Sequence, residues 1–182
     1  MPQTSTPGVK GLQVLLQKRS AVRGSGAPSG EPIAGVIVRP IRPVAHEDGY
    51  LAEIARTDWP EVDRPIVQVH LTTTLPGRVR AWGLHQRSID RLFPVSGLVK
   101  IVVFDGREGS PTYGVLNELI VDEHNPALVV IPPNLYHGWK NIGTRDSIVI
   151  NMPTALYDYE LPDALDLPWD SPQARELIAY TW

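Results

Sequence analysis

The chain has 182 residues, 42% of them hydrophobic and 20% charged, enough for one globular domain with a sizeable core. A net charge of −3 offers no concentrated positive field to nucleic acid or an anionic membrane, and the absence of cysteine excludes disulfides, thiolate metal sites and cysteine nucleophiles together. The start of the chain lacks a signal peptide's apolar stretch and no run of about 18 apolar residues occurs, so a soluble cytoplasmic protein is expected.

In chain order, VKGLQVLLQKRS suits a short amphipathic helix and RGSGAPSGEP resists regular structure, which predicts an appended mobile arm over residues 1–32 and a folded domain over 33–182. Beyond the arm, GVIVRPI, PIVQVHLTTT, RVRAWGLHQ, LVKIVVFD, YGVLNELIV, ALVVIPP and SIVINMP are short, rich in β-branched residues and separated by Pro, Gly, Asn or Asp. Seven such strands predict an all-β sandwich or barrel, with turn chemistry in LPG and DGREGSP. Helix is expected only in SPQARELIAY, capped by Ser171, opened by Pro172 and buried through Leu177 and Ile178. In PIVQVHLTTT the period of two puts Val67, Val69 and Leu71 on one face, expected to build core. Gln68, His70 and Thr72 fall on the other, which is free to line a pocket or to meet water.

Two histidine motifs sharpen the fold. PPNLYHGWKN resembles the second motif of jelly-roll cupins, G-x5-P-x-G-x2-H-x3-N, with Pro132, His137 and Asn141 in register and Asn134 in place of the inner glycine. Asparagine tolerates the left-handed backbone that glycine would adopt. WGLHQRSIDRLFPVSG matches the first motif in part: His85 takes its first histidine, Asp90 its acid and Gly97 its last glycine. Arg87 stands where the second histidine belongs, and a guanidinium cannot coordinate a metal. His85, Asp90 and His137 remain as a weak ligand set, so no metal and no cofactor is expected.

From about Gly35 onward the chain resembles the dTDP-4-dehydrorhamnose 3,5-epimerase family of sugar-nucleotide cupins. The resemblance rests on HEDGYLAEI, IVQVH, WGLHQ, VFDGREGSPTYG, IPPNLYHGW and LPWDSP, in the family's order. It implies a cupin jelly roll with a short C-terminal helix, a homodimer in which the segment Gly35 to Ile41 pairs onto the partner's sheet, and a nucleotide-sugar ligand. It also implies that His85 is a base removing the acidified proton beside a 4-keto group, as a neutral imidazole can. The late acid that orients this histidine falls at Asp170, or in a shifted register at Ser171, and the cation near the keto oxygen at Arg91. His137 resembles the second pocket histidine, with Asp105 as its polar partner. Gln68, His70, Arg80, Trp82 and Glu53 complete the expected ligand-binding set.

The departures are specific. Trp82 and Asp48 occupy positions where the family has arginines, which removes phosphate partners that Arg78, Arg80 and Arg87 are close enough to replace. Ile150 aligns with the family's catalytic tyrosine, and an aliphatic side chain cannot return a proton. Three readings follow: an epimerase acting by a proton shift, an epimerase-like pocket that binds without turnover, and a metal-dependent cupin enzyme for a small acid.

Overall fold

The structure, a computed structural model, describes residues 31–182. The expected arm over residues 1–32 lies outside the described residues apart from its last two. Twelve strands are present: β1 Ile37–Pro40, β2 Val44–His46, β3 Gly49–Leu51, β4 His70–Thr74, β5 Val79–His85, β6 Asp90–Ser96, β7 Val99–Phe104, β8 Leu116–Val121, β9 Ala127–Ile131, β10 Tyr136–Asn141, β11 Ser147–Asn151 and β12 Ala164–Asp166. Among the described residues one α-helix, α1 Pro172–Leu177, follows them. The strands form two five-stranded antiparallel sheets, ordered β1-β9-β6-β11-β4 and β12-β5-β10-β7-β8, and β2 and β3 make a separate hairpin.

The strand period sorts the core into layers. On β9, Ala127, Val129 and Ile131 join Leu92, Val99, Ile101, Val103 and Val149 in the interior between the sheets. Leu128 and Val130, on the opposite face of the same strand, pack with Phe93, Val62 and Met152 beneath the segment that carries Ile54 and Trp59. Strand β9 is buried on both faces, which is why its sequence is apolar at every position. On the second sheet, Trp82 and Val102 face outward and are covered by Ala174 and Ile178 of the C-terminal segment. Ser171 caps α1 by accepting from the Ala174 amide at 3.1 Å, as its sequence predicts. Ile178 is buried, whereas Leu177 is 46% exposed, because six helical residues offer too narrow a face to bury both.

One expectation is corrected here. Val67, Val69 and Leu71 do not build core: they are 42%, 59% and 58% exposed, because Leu71 lies on edge strand β4, Val67 and Val69 lie in the run leading into it, and only the polar face meets the barrel interior. Within the chain, β1 pairs with β9, Ile37 opposite Val130 and Arg39 opposite Leu128, and lies at the edge of its sheet.

Candidate active site

The interior face opens at one end of the barrel, where β5 and β11 finish and β6, β10 and β12 begin. His85 is the last residue of β5 and pairs with Ala164 of β12. Asp90 opens β6, and Asn151 closes β11 opposite His70 of β4. His137, on β10, sits opposite Gly83 of β5. The turn before β10 depends on Asn134, which holds φ at 63°, the left-handed backbone expected of it, and donates its amide to the His85 carbonyl at 2.7 Å. Gly138 is required beside His137: a Cβ there would lie 2.3 Å from the Ala81 Cβ on β5.

Asp90 is the centre of the arrangement and is 2% exposed. Its Oδ2 lies 2.9 Å from His137 Nε2 and 3.2 Å from His85 Nε2. Its Oδ1 accepts from Asn151 Nδ2 at 2.8 Å, and Asn151 Oδ1 accepts from the Arg91 amide at 3.1 Å. His137 Nδ1 faces the Leu135 carbonyl at 3.0 Å. Burial works to raise the Asp90 carboxyl, but the two histidines hold it far below the ordinary carboxylate range. Burial likewise works to lower His85, and its contact with Asp90, reinforced by the charges of Asp163 and Asp166, outweighs it, so His85 titrates above the ordinary histidine value. Asp163 Oδ2 lies 3.8 Å from His85 Nδ1 and is fixed by the amides of Arg87 and Ser88 and by Arg87 Nε.

Two cavities flank this cluster. One, of about 180 Å³, is lined by Gln68, His70, His85, Asp163 and Tyr157. The other, of about 490 Å³, is lined by His70, Thr72, Arg80, His85, His137 and Trp139. The larger is of the size that small-molecule sites occupy.

Among the expected site residues, the structure brings His85, His137, Gln68, His70 and Arg80 to these cavities. Others go elsewhere. Arg91 is next to Asp90 on β6 and therefore turns to the opposite face, where its guanidinium donates to the carbonyls of Arg64 and Pro65. It tethers the covering segment and does not reach a keto oxygen in the cavity. Asp170 lies in the exposed turn before α1, and the carboxylates within 4 Å of His85 are Asp90 and Asp163. Asp105 is bound by Arg107, Ser110 and Thr112, so Asp90 takes the role at His137 expected of it. Trp82 is 1% exposed against Tyr180 and Trp182 on the outer face. Glu53 pairs with Arg56 at 2.7 Å, away from both cavities. Arg87 does not fill a ligand position: its side chain is 72% exposed and held by Asp163.

Ile150 faces the outer cluster, while Val149 and Asn151 line the cavity. Sequence comparison missed Asn151 because it put the family's tyrosine at Ile150, and on the regularly alternating β11 these neighbours point to opposite faces. It missed Asp163 because only pairing of the three-residue β12 with β5 brings that carboxylate to His85. The loop that follows β11 carries Tyr157 to the smaller cavity.

An antiparallel double sheet with two histidines and a carboxylate on its inner wall defines a cupin-type protein with a small-molecule site. The chain belongs to the dTDP-4-dehydrorhamnose 3,5-epimerase family, whose sequence profile matches residues 31–175. It is 40% identical over 139 residues to a probable low-salt glycan biosynthesis epimerase of Haloferax volcanii, covering 76% of this chain and 89% of that protein. It is 29% identical over 150 residues to a spore coat polysaccharide biosynthesis protein of Bacillus subtilis, covering 82% and 96%. In structure it resembles a dTDP sugar isomerase from Desulfovibrio desulfuricans, with a TM-score of 0.75, 26% identity and coverage of 82% and 92%. A 3'-monoepimerase from Streptomyces bikiniensis in complex with dTDP shares the fold, with a TM-score of 0.72, 19% identity and coverage of 84% and 77%.

Proposed function

We propose that the protein is an epimerase of a nucleotide-linked 4-keto-deoxy sugar, with His85 removing the proton beside the keto group. The observation that carries this reading is His85 itself, at the junction of the two cavities with a carboxylate on each side of its ring. Asp90, 3.2 Å from Nε2, suits the task of orienting the ring by accepting its N–H, which leaves Nδ1, without a hydrogen-bond partner, to take the proton. The developing enolate needs a compensating group within the cavity. With Arg91 on the other face and both His137 nitrogens engaged by Leu135 and Asp90, Arg80 and His70 are lining residues able to supply positive charge or a hydrogen bond.

The proton must also be returned. Tyr157 is the tyrosine lining the smaller cavity among the described residues, and we assign it the role that position 150 leaves empty. The dTDP-linked sugars are the first substrates to test, because the structurally similar 3'-monoepimerase is described in complex with dTDP. In deuterated buffer, the wild type is expected to incorporate deuterium beside the keto group and to form an epimer visible by NMR. Tyr157→Phe is expected to keep incorporation and lose most of the epimer. Equal loss of both would show that Tyr157 does not act as a separate acid.

The dimer expected from the family resemblance stays part of this reading. Support comes from apolar residues left open on the edge strand and the run before it, Val67, Val69 and Leu71, and on the β2–β3 hairpin, Val44, Tyr50 and Leu51. A light-scattering mass of one chain at micromolar concentration would contradict it. No helix among the described residues is long and apolar enough to cross a membrane.

A further inference from the structure

Four residues border both cavities: His70, His85, Asp90 and Asn151. His85 keeps its unpartnered Nδ1 on the side of Asp163, which lines the smaller cavity, and Tyr157 lines that cavity as well. A carbon that gives a proton to Nδ1 and takes one from Tyr157 therefore belongs in the smaller cavity. Arg80 borders the larger cavity and not the smaller. The oxygen of an enolate formed beside Nδ1 needs another hydrogen-bond donor.

Most polar groups of the smaller cavity are already committed. Ser88 Oγ donates to the Ile89 carbonyl, and Gln68 Oε1 accepts from the Tyr157 amide. Asn151 is engaged by Asp90 and by the Arg91 amide. The ring of His70 differs: it is exposed and makes no side-chain hydrogen bond or ion pair among the described residues. His70 opens β4 directly opposite Asn151 of β11, and opposed residues of an antiparallel ladder project to the same face. Asp90 lies on β6, on the far side of β11 from β4. Asn151 thus stands between His70 and the Asp90–His85 pair, with an imidazole on either side of the same opening.

We propose that His70 is a second catalytic histidine, whose ring N–H donates to the keto oxygen of the bound sugar and stabilises the enolate that His85 generates. A neutral imidazole serves this purpose, because it always keeps one N–H. The proposal rests on the reading of His85 as base. The C–H electron pair becomes the C=C bond of the enolate, the carbonyl π pair moves to oxygen, and the proton passes to Nδ1. When the enolate takes the phenolic proton of Tyr157 the carbonyl is restored. His70 keeps its proton throughout, while solvent reprotonates Tyr157 and deprotonates His85. Arg80 is left to the anionic nucleotide part of the substrate, in the larger cavity.

The test is solvent deuterium incorporation into a dTDP-linked 4-keto-6-deoxy sugar by the full chain, with KM and the saturated rate determined separately. His70→Ala, an exposed position on an edge strand, should match the wild type in circular dichroism. Its saturated rate should fall about tenfold or more while KM stays within about threefold. Free imidazole at tens of millimolar should restore part of the lost rate by entering the space of the deleted ring, which a structural role would not allow. In Arg80→Gln the loss should appear in KM instead. A saturated rate unchanged in His70→Ala, a loss that imidazole does not relieve, or a saturated rate that falls in Arg80→Gln instead overturns the role of His70. Exchange that survives His70→Ala and is abolished in His85→Asn removes His70 alone; no exchange by the wild type removes both assignments.

Discussion

Replacing Asp90 by Asn removes one charge from the most constrained point of the site while nearly preserving its shape. The carboxylate is 2% exposed and has both Nε2 atoms within 3.2 Å, so its loss leaves the buried His137 and half-buried His85 rings without their charged partner. Removing one partner of a buried ion pair costs about 3–5 kcal/mol; the amide can still accept from Asn151, which favours the lower end, about 3 kcal/mol or roughly 6–12 °C in Tm. The sign of the pH dependence follows from the two shifts. The lowered Asp90 carboxyl contributes stability that is complete above its ordinary value of 3.8 and is lost only as pH falls through its folded value. The raised His85 contributes stability present below 6.5 and lost as pH rises through its folded value. Both contributions coexist between about pH 4 and 6.5. Calorimetric melting of wild type and Asp90→Asn should therefore show a larger gap at pH 5.5 than at pH 8.5. Equal melting temperatures, or a gap that widens toward pH 8.5, would refute the reasoning.

Three further outcomes are expected. Solvent exchange should rise with pH through a midpoint above 6.5, because only neutral His85 can accept a proton and its neighbours raise its pKa; a midpoint below 6.5 would contradict this. Gly138→Ala should cost roughly 1–3 kcal/mol by chemical denaturation and weaken ligand binding, since the added Cβ meets the Ala81 Cβ at 2.3 Å and pushes His137 off β5; an unchanged denaturation midpoint would show that the strands part freely. Ile150→Tyr should destabilise by a similar amount of roughly 1–3 kcal/mol and yield no gain in epimer, because the ring enters the outer cluster and not the cavity.

Much of this architecture is legible in the sequence, and its limits have physical causes. His85, His137 and Asn134 are found because each is fixed by spacing along one strand or one turn, where the local chain alone decides direction. Strand β6 escapes strand patterning because Pro94 sits within it, tolerated where the ladder with β11 shifts register. Ile150 and Asn151 are neighbours on β11, so taking one for the other is a one-residue displacement that inverts a face. Arg91 fails for the related reason that its neighbour Asp90 already claims the interior side. Asp163 is invisible to spacing, since it approaches His85 only through pairing of distant segments. The stripe Val67, Val69, Leu71 reads as core because alternation reveals two faces without saying which one is covered.

Solvent deuterium incorporation into a dTDP-linked 4-keto-6-deoxy sugar, compared between wild type and His85→Asn, tests the assignment of the base. The wild type should place deuterium on the carbon next to the keto group, and His85→Asn should abolish it while ligand affinity stays within a few-fold, because asparagine keeps a polar group but cannot accept the proton. Exchange that survives in a folded His85→Asn variant, or is absent from the wild type with every 4-keto nucleotide sugar offered, would contradict the catalytic role of His85 and leave the cavity as a binding site.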